Sequence, residues 1–304
     1  MKTILKSISP FNNRTDMQPI LFVIKKILAF YFCYIMGLFI AEGAAILLHF
    51  VLGKNMLVGN VFDSQTITLI IYYGYIIVIT VMLFYWKLFE KKPLSELGLT
   101  KHIGSYFIGI VTAIFLLLIS VSIITLTGNM KYDGIFTDTN LLIIILFGGG
   151  FIIQGAMEEL FCRGFLLHTL QTRVTLPVAI AVSTVMFIIP HGSSLFAGEM
   201  IYGVIGIINL ILISIIFSLF TIRFQSIWAA CGLHSFWNFI LYSVLGLNLS
   251  GNDENVTAIF KMESVGKNIW NGDIYGIEAS IITTIILGIC AMLLCVYSKK
   301  NQET

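Results

Sequence analysis

Charge is scarce in this sequence: Asp, Glu, Lys and Arg together make up 11% of its 304 residues, against roughly 25% in a soluble domain. That scarcity excludes an ordinary soluble fold. A net charge of +2 also leaves no basic surface of the kind that binds nucleic acid. No internal repeat, low-complexity tract or separate soluble domain interrupts the chain. Cys33, Cys162, Cys231, Cys290 and Cys295 all fall inside apolar runs without metal-type spacing. That placement argues against a disulfide framework and leaves packing as their default role.

What fills the chain is apolar: 58% of residues are hydrophobic, and the mean hydropathy is +0.94. Apolar runs near 24–50, 66–87, 104–127, 141–169, 174–197, 200–222, 227–248 and 275–297 are each long enough for the roughly 20 residues that cross a bilayer as helix. The sequence therefore predicts an all-α fold, a polytopic membrane helical bundle of about eight transmembrane helices. Lys2, Lys6, Arg14, Lys25, Lys26, Lys87, Lys91, Lys92, Lys101, Arg173, Arg223, Lys299 and Lys300 fall on one side of that arrangement. Only Lys54, Lys131, Lys261 and Lys267 fall on the other. Basic residues are retained on the cytoplasmic side, so both termini are expected there. The small residues of Ala41-Glu-Gly-Ala-Ala45 could mimic a leader cleavage site, but the apolar run continues through Leu47, Leu48, Phe50 and Val51. The first run therefore reads as an anchor. The expected organisation is one membrane domain, 1–304: two spans in 1–89, a core in 90–248, and an outer loop with the last span in 249–304. The connector 91–100 and the loop 252–273 read as solvated linkage.

Against that background, intramembrane ionisable groups are costly and become functional candidates. The run Gln154-Gly-Ala-Met-Glu158-Glu159-Leu-Phe-Cys-Arg163 places two adjacent glutamates inside an apolar stretch. Glu159 and Arg163 are four apart, so a helix stacks them on one face and lets them pair. Glu158 lies about 100° further around the helix. It is therefore left for chemistry, while the pair supports structure. Of the histidines, His49, His102 and His168 sit near span ends or in a connector and need no function. His191 closes Phe187-Ile-Ile-Pro190-His191, where Pro190 removes an amide donor and biases Ile189 away from helical angles. His234 and Asn238 share a face of the seventh helix. Glu42 in the first span has no evident task.

A carboxylate and an imidazole can deprotonate a water, while a second imidazole and a carboxamide can donate to a developing oxyanion. Glu158, His191 and His234 could equally hold Zn²⁺ with an open position for water. The residues alone leave both plans open. Other hydrolase plans are missing: no His-Glu-x-x-His lies on a helix, and there is neither a Gly-x-Ser-Gly turn nor a pair of intramembrane aspartates.

Glu158-Glu159-x-x-x-Arg163, Phe187-x-x-x-His191 and His234-x-x-x-Asn238, in that order on the fourth, fifth and seventh spans, resemble the three motifs of the CPBP family. That family comprises the CAAX-prenyl endopeptidases, bacteriocin-processing and bacteriocin-immunity membrane proteins, and related bacterial intramembrane proteases. The resemblance covers roughly 90–248 and includes the connector Ser95-Glu-Leu-Gly-Leu99. It implies an intramembrane endopeptidase in which Glu158 and His191 activate water, His234 and Asn238 bind the oxyanion or scissile carbonyl, and Glu159 and Arg163 shape the site. It also implies a multi-pass place in a bacterial plasma membrane and a peptide or protein substrate, such as a bacteriocin precursor, a pheromone or a membrane protein. The family is commonly called metalloprotease, so Zn²⁺ is one expectation. A metal-free, glutamate-activated water is the other, favoured here because Asn238 suits an oxyanion better than zinc. Two rivals stand beside this reading: a non-catalytic immunity or scaffold protein, and a proton-coupled transporter, for which Glu42 would be the natural residue.

Overall fold

All eight apolar runs are helical in the computed structural model, which describes residues 8–55, 58–137, 139–195, 198–249 and 257–300, with side chains described as far as 297. Lys2, Lys6 and positions 250–256 of the expected outer loop lie outside the described residues. The main helices are α1 (Pro19–Val51), α2 (Ser64–Tyr85), α3 (Ser105–Leu126), α4 (Leu141–Glu159), α5 (Leu176–Ile188), α6 (Met200–Phe224), α7 (Trp228–Phe239) and α8 (Ile281–Lys300). Two strands, β1 (Met130–Ile135) and β2 (Phe260–Ser264), form one antiparallel pair.

Among the described residues, and counting their continuations, six helices, Pro19–Val51, Ser64–Glu90, Ser105–Leu126, Leu141–Leu170, Leu176–Leu195 and Met200–Phe224, are long and apolar enough to cross a membrane. The other two are shorter than the apolar runs suggest. α7 with its π-helical continuation ends at Val244 rather than near 248, and Gly232, His234, Ser235 and Asn238 dilute its hydropathy. The last helix starts at Ile281 rather than 275, because residues 273–275 and 277–279 form 3-10 turns. Large apolar side chains such as Phe39, Phe107, Leu118, Leu142 and Val296 are exposed along the helices. That surface is suited to lipid and not to water. The protein is an all-α, multi-pass membrane protein.

The helix ends follow from local chemistry. Pro19 opens α1, where a missing N–H costs nothing. Asp63 caps α2 by accepting from the Thr66 amide at 3.0 Å and the Thr66 hydroxyl at 2.6 Å. A π-helical turn, Trp86–Glu90, ends the second helix, with Lys91 in the left-handed region at φ 56° and Pro93 soon after.

The chain divides into two compact units, one comprising 1–101 and 153–183, the other 102–152 and 184–304. In the first, α1 packs along α2, and the buried Lys26 ammonium bonds both Glu90 carboxylate oxygens at 2.6 Å. The connector here is more than solvated linkage. Its Leu94–Leu97 turn packs on the helix carrying Gly164, where an added Cβ would come within 2.7 Å of the Leu97 carbonyl oxygen.

In the second unit, α7 packs on α3, α6 packs on α7 and α8, and α8 also packs on α3. The α3–α7 crossing is set by reciprocal glycines. A Cβ on Gly109 would meet the Ala229 carbonyl, and one on Gly232 would meet the Tyr106 carbonyl, both at backbone atoms. Small residues permit this close approach between membrane helices. The outer loop is likewise built rather than bland: β2 pairs with β1, with Met130 opposite Ser264 and Tyr132 opposite Met262. Asn271 donates to the carbonyls of Asn129, Val265 and Gly266, and buried Asn209 on α6 donates to those of Glu278 and Ser280.

Candidate active site

The first motif lies in the first unit, at a change of helix type. α4 ends at Glu159, and the backbone continues as a π-helix, Leu160–Leu167, before a last α-helical turn to Leu170. π-Helical segments inside α-helices gather at functional sites because they re-aim side chains within a continuous rod. Arg163 Nη1 donates to Glu159 Oε1 at 3.1 Å, and both side chains are 0% exposed. This is the ion pair that their spacing predicts. Glu158 is only half-buried, and Gln154 Nε2 donates to its Oε1 at 2.6 Å from one turn earlier. Tyr34 of α1 and Tyr75 of α2 lie within electrostatic reach of the Glu158 carboxylate.

Packing holds this segment from several sides. Phe161 meets the rings of Phe30 and Tyr34 edge-on at 5.3 and 5.9 Å. Phe165 meets Tyr85 and Trp86 at 6.0 and 6.1 Å. Ser183 of α5 donates to the Cys162 carbonyl at 2.8 Å, satisfying a backbone acceptor inside the widened turn.

The second and third motifs lie in the other unit. α5 ends at Ile188, and Ile189–His191 form a 3-10 turn followed by one short helical turn to Leu195. The break at Pro190 is the one the sequence predicts. Ile189 itself, however, stays in a helical turn instead of extending, because proline is tolerated at the start of a new 3-10 turn. His191 Nδ1 lies 2.9 Å from the Phe187 carbonyl oxygen. A carbonyl can only accept, so Nδ1 carries a proton here, and the neutral form of the ring presents its lone pair at Nε2.

His234 and Asn238 are both buried on α7. The His234 ring stacks on Phe217 of α6 at 5.1 Å and 14°. Phe187 touches both imidazoles, at 5.2 Å from His191 and 5.9 Å from His234. The four-residue spacing of Phe187-x-x-x-His191 thus has a structural reason: the phenyl ring touches both histidines, and the Phe187 backbone oxygen takes the Nδ1 hydrogen bond of one.

Four contributors escaped the sequence reading. Gln154 opens the run that carries the first motif, and its only signal in the sequence is its place one turn before Glu158. Tyr34 and Tyr75 gave none, since a tyrosine in an apolar run reads as packing. Glu278, whose Oε1 accepts from Trp237 Nε1 at 3.1 Å, lies outside the expected core in sequence but bonds to the residue before Asn238. His49 and His168, assigned no function, are respectively buried and half-buried, and His49 Nδ1 bonds the Ala45 carbonyl at 2.8 Å. Glu42 is exposed on α1.

Catalytic zinc needs three protein ligands and an open position. Among the described residues, no three His, Cys, Asp or Glu side chains are gathered as a metal-ligand set.

No curated protein and no solved structure matches the chain. A family model does: the one described as type II CAAX prenyl endopeptidase Rce1-like matches residues 139–240. That segment is about a third of the chain and takes in Glu158-Glu159-x-x-x-Arg163, Phe187-x-x-x-His191 and His234-x-x-x-Asn238. The match agrees with the resemblance that the motifs carry, and it implies protease activity of the intramembrane CAAX type on a peptide or protein substrate: residues 139–240 are similar to the Rce1-like type II CAAX prenyl endopeptidases.

Proposed function

We propose that this chain is an intramembrane endopeptidase of a bacterial plasma membrane, cleaving a peptide or a protein tail with a water activated by Glu158. The observation that carries the reading is the division of roles within one motif. Glu159 is fully buried in an ion pair with Arg163, whereas Glu158, one residue earlier, is half-buried and steadied by Gln154.

In the proposed reaction, Glu158 takes a proton from the water as its oxygen attacks the scissile carbonyl carbon, and His191 Nε2 orients that water through its lone pair. The carbonyl electron pair moves onto oxygen, where His234 and Asn238 donate hydrogen bonds to it. When the tetrahedral intermediate collapses, the C–N bond breaks and Glu158 returns its proton to the departing amine. One acid product and one amine product result. Bacteriocin precursors, pheromones and membrane-protein tails are the substrate classes that fit.

The test uses the full-length protein in liposomes, a peptide pool extracted from membranes, and water enriched in ¹⁸O. Wild type is expected to give new C-termini carrying one ¹⁸O, in amounts unchanged by a zinc chelator. His234→Ala combined with Asn238→Ala is expected to lower their yield by at least about 10²-fold, the scale of losing an oxyanion donor. Loss of all cleavage on chelation, restored by zinc, would contradict the metal-free mechanism. No new termini with wild type would contradict the protease reading.

A further inference from the structure

A second feature of the chain lies in the unit formed by 102–152 and 184–304, on a face assembled from α3, α6 and α8. There a groove of about 760 Å³ runs between the three helices. Its walls are mostly apolar, the Thr112 hydroxyl on α3 being spent on the Ile108 carbonyl, and the one charged lining residue, Arg223, stands at one end with Tyr297. The guanidinium lies over the Tyr297 ring, 4.9 Å from its centroid, and Nη2 reaches the Tyr297 hydroxyl at 3.3 Å. Arg223 is exposed, and one hydroxyl leaves most of its five donors for another acceptor.

Length identifies what fits. The lining runs from Ile108 to Ile119 on α3 and from Ile286 to Tyr297 on α8. At 1.5 Å per residue each stretch is about 16 Å long, close to half of a hydrocarbon core about 30 Å thick. The groove is therefore one leaflet deep. Its Arg223 end is the end that the distribution of Lys and Arg assigns to the cytoplasm, the face whose lipids carry negative charge. Tyr297 is the kind of amphipathic ring that settles at the headgroup level.

From this combination of depth, apolar wall and cationic mouth, we infer that the groove is a site for an anionic phospholipid of the cytoplasmic leaflet, with one acyl chain along α3 and α8 and the phosphate on Arg223. The site is independent of the proposed peptidase chemistry. None of Glu158, His191, His234 and Asn238 lines it.

Native mass spectrometry of the full-length protein, offered equal phosphatidylglycerol and phosphatidylcholine with the same acyl chains, tests the inference. Wild type is expected to retain phosphatidylglycerol in preference by about fivefold, the ratio expected for one Arg at a membrane surface. Arg223→Ala should erase that preference and Arg223→Lys should keep much of it. Ile289→Trp, which fills the groove, should lower retention of both lipids. Equal retention of the two lipids by wild type, or a preference that survives both Arg223→Ala and Ile289→Trp, would overturn the site. Displacement of bound phosphatidylglycerol by a farnesylated peptide would also overturn it, since the groove would then receive a substrate's tail.

Discussion

Glu158 and Glu159 are chemically identical neighbours that their surroundings separate. Glu159 is fully buried with Arg163 at 3.1 Å, and removing one member of such a pair strands the other charge without compensation. Glu159→Ala and Arg163→Ala are therefore expected to destabilise the folded protein by about 3–5 kcal/mol. Glu158→Gln, at a half-buried position, should leave stability nearly unchanged. Heating detergent-solubilised variants and following the monodisperse peak by size-exclusion chromatography checks this. Equal thermal loss in all three variants would remove the distinction. At this scale the sequence was informative: a four-residue spacing predicts the pair, and the offset of the adjacent residue predicts a different environment. It was silent about Gln154, Tyr34 and Tyr75, because a side chain's part in a site depends on which helices pack beside it.

Among the elements, each motif coincides with a departure from regular α-helix: the π-helix after Glu159, the 3-10 turn ending at His191, and the π-helix from Ile240 just beyond Asn238. Only the second could be read beforehand, since proline is a visible breaker. π-Helices have no comparable sequence signature. The reciprocal glycines on α3 and α7 were equally invisible, because small residues abound in membrane helices and only the crossing shows which two meet. Gly109→Ala and Gly232→Ala each place a methyl against backbone atoms that cannot yield locally. Each is expected to cost about 1–3 kcal/mol through overpacking, and to lower cleavage by moving α7 with His234 and Asn238. A control Gly288→Ala, whose Cβ meets nothing within 4 Å, should behave as wild type.

The outer strand pair gives the pH dependence. Lys261 holds Asp133 below the usual carboxylate range, chiefly through a hydrogen bond, and Lys131 does the same for Glu263. In return Glu263 raises Lys131 and Asp133 raises Lys261. Depressed carboxylates contribute above their ordinary values of about 3.9 and 4.3 and lose that contribution as pH falls through the lowered ones. Raised lysines contribute below about 10.4 and lose it as pH rises through the higher values. Corrected for intrinsic exchange, amide protection in 130–135 and 260–264 should be flat from about pH 5 to 9 and fall on acidification below about pH 4. Protection that increased in acid would contradict the cross-strand ion pairs.

For the whole molecule, composition and hydropathy were enough to predict a multi-pass helical membrane protein, and all eight apolar runs are helices. The ends of the last two were misplaced where polar side chains and 3-10 turns interrupt the pattern. The strand pair escaped because its segments are short and far apart in sequence. Glu42 gains a plain reading from helix geometry. It lies 16 residues beyond Lys26 on α1, about 24 Å along the axis, so with Lys26 near the inner boundary it falls close to the outer one of a core about 30 Å thick. An exposed interfacial carboxylate needs no transport pathway. The Lys and Arg distribution further predicts that reporter fusions at both ends will be active only as cytoplasmic reporters. A terminus that supports an outer-side reporter would contradict it.

If Glu158 carries the proposed peptidase reaction, the decisive comparison is by mass spectrometry of the peptides in cells that carry wild type, Glu158→Ala or no copy of the protein, with membrane levels of the two proteins matched. The expected result is a set of products present with wild type alone and replaced by their uncleaved precursors in the other two. Products at full yield with Glu158→Ala would contradict the assignment of the reaction to that carboxylate. Identical peptides in all three strains, together with a protective phenotype that survives Glu158→Ala, would instead identify a binding or immunity protein.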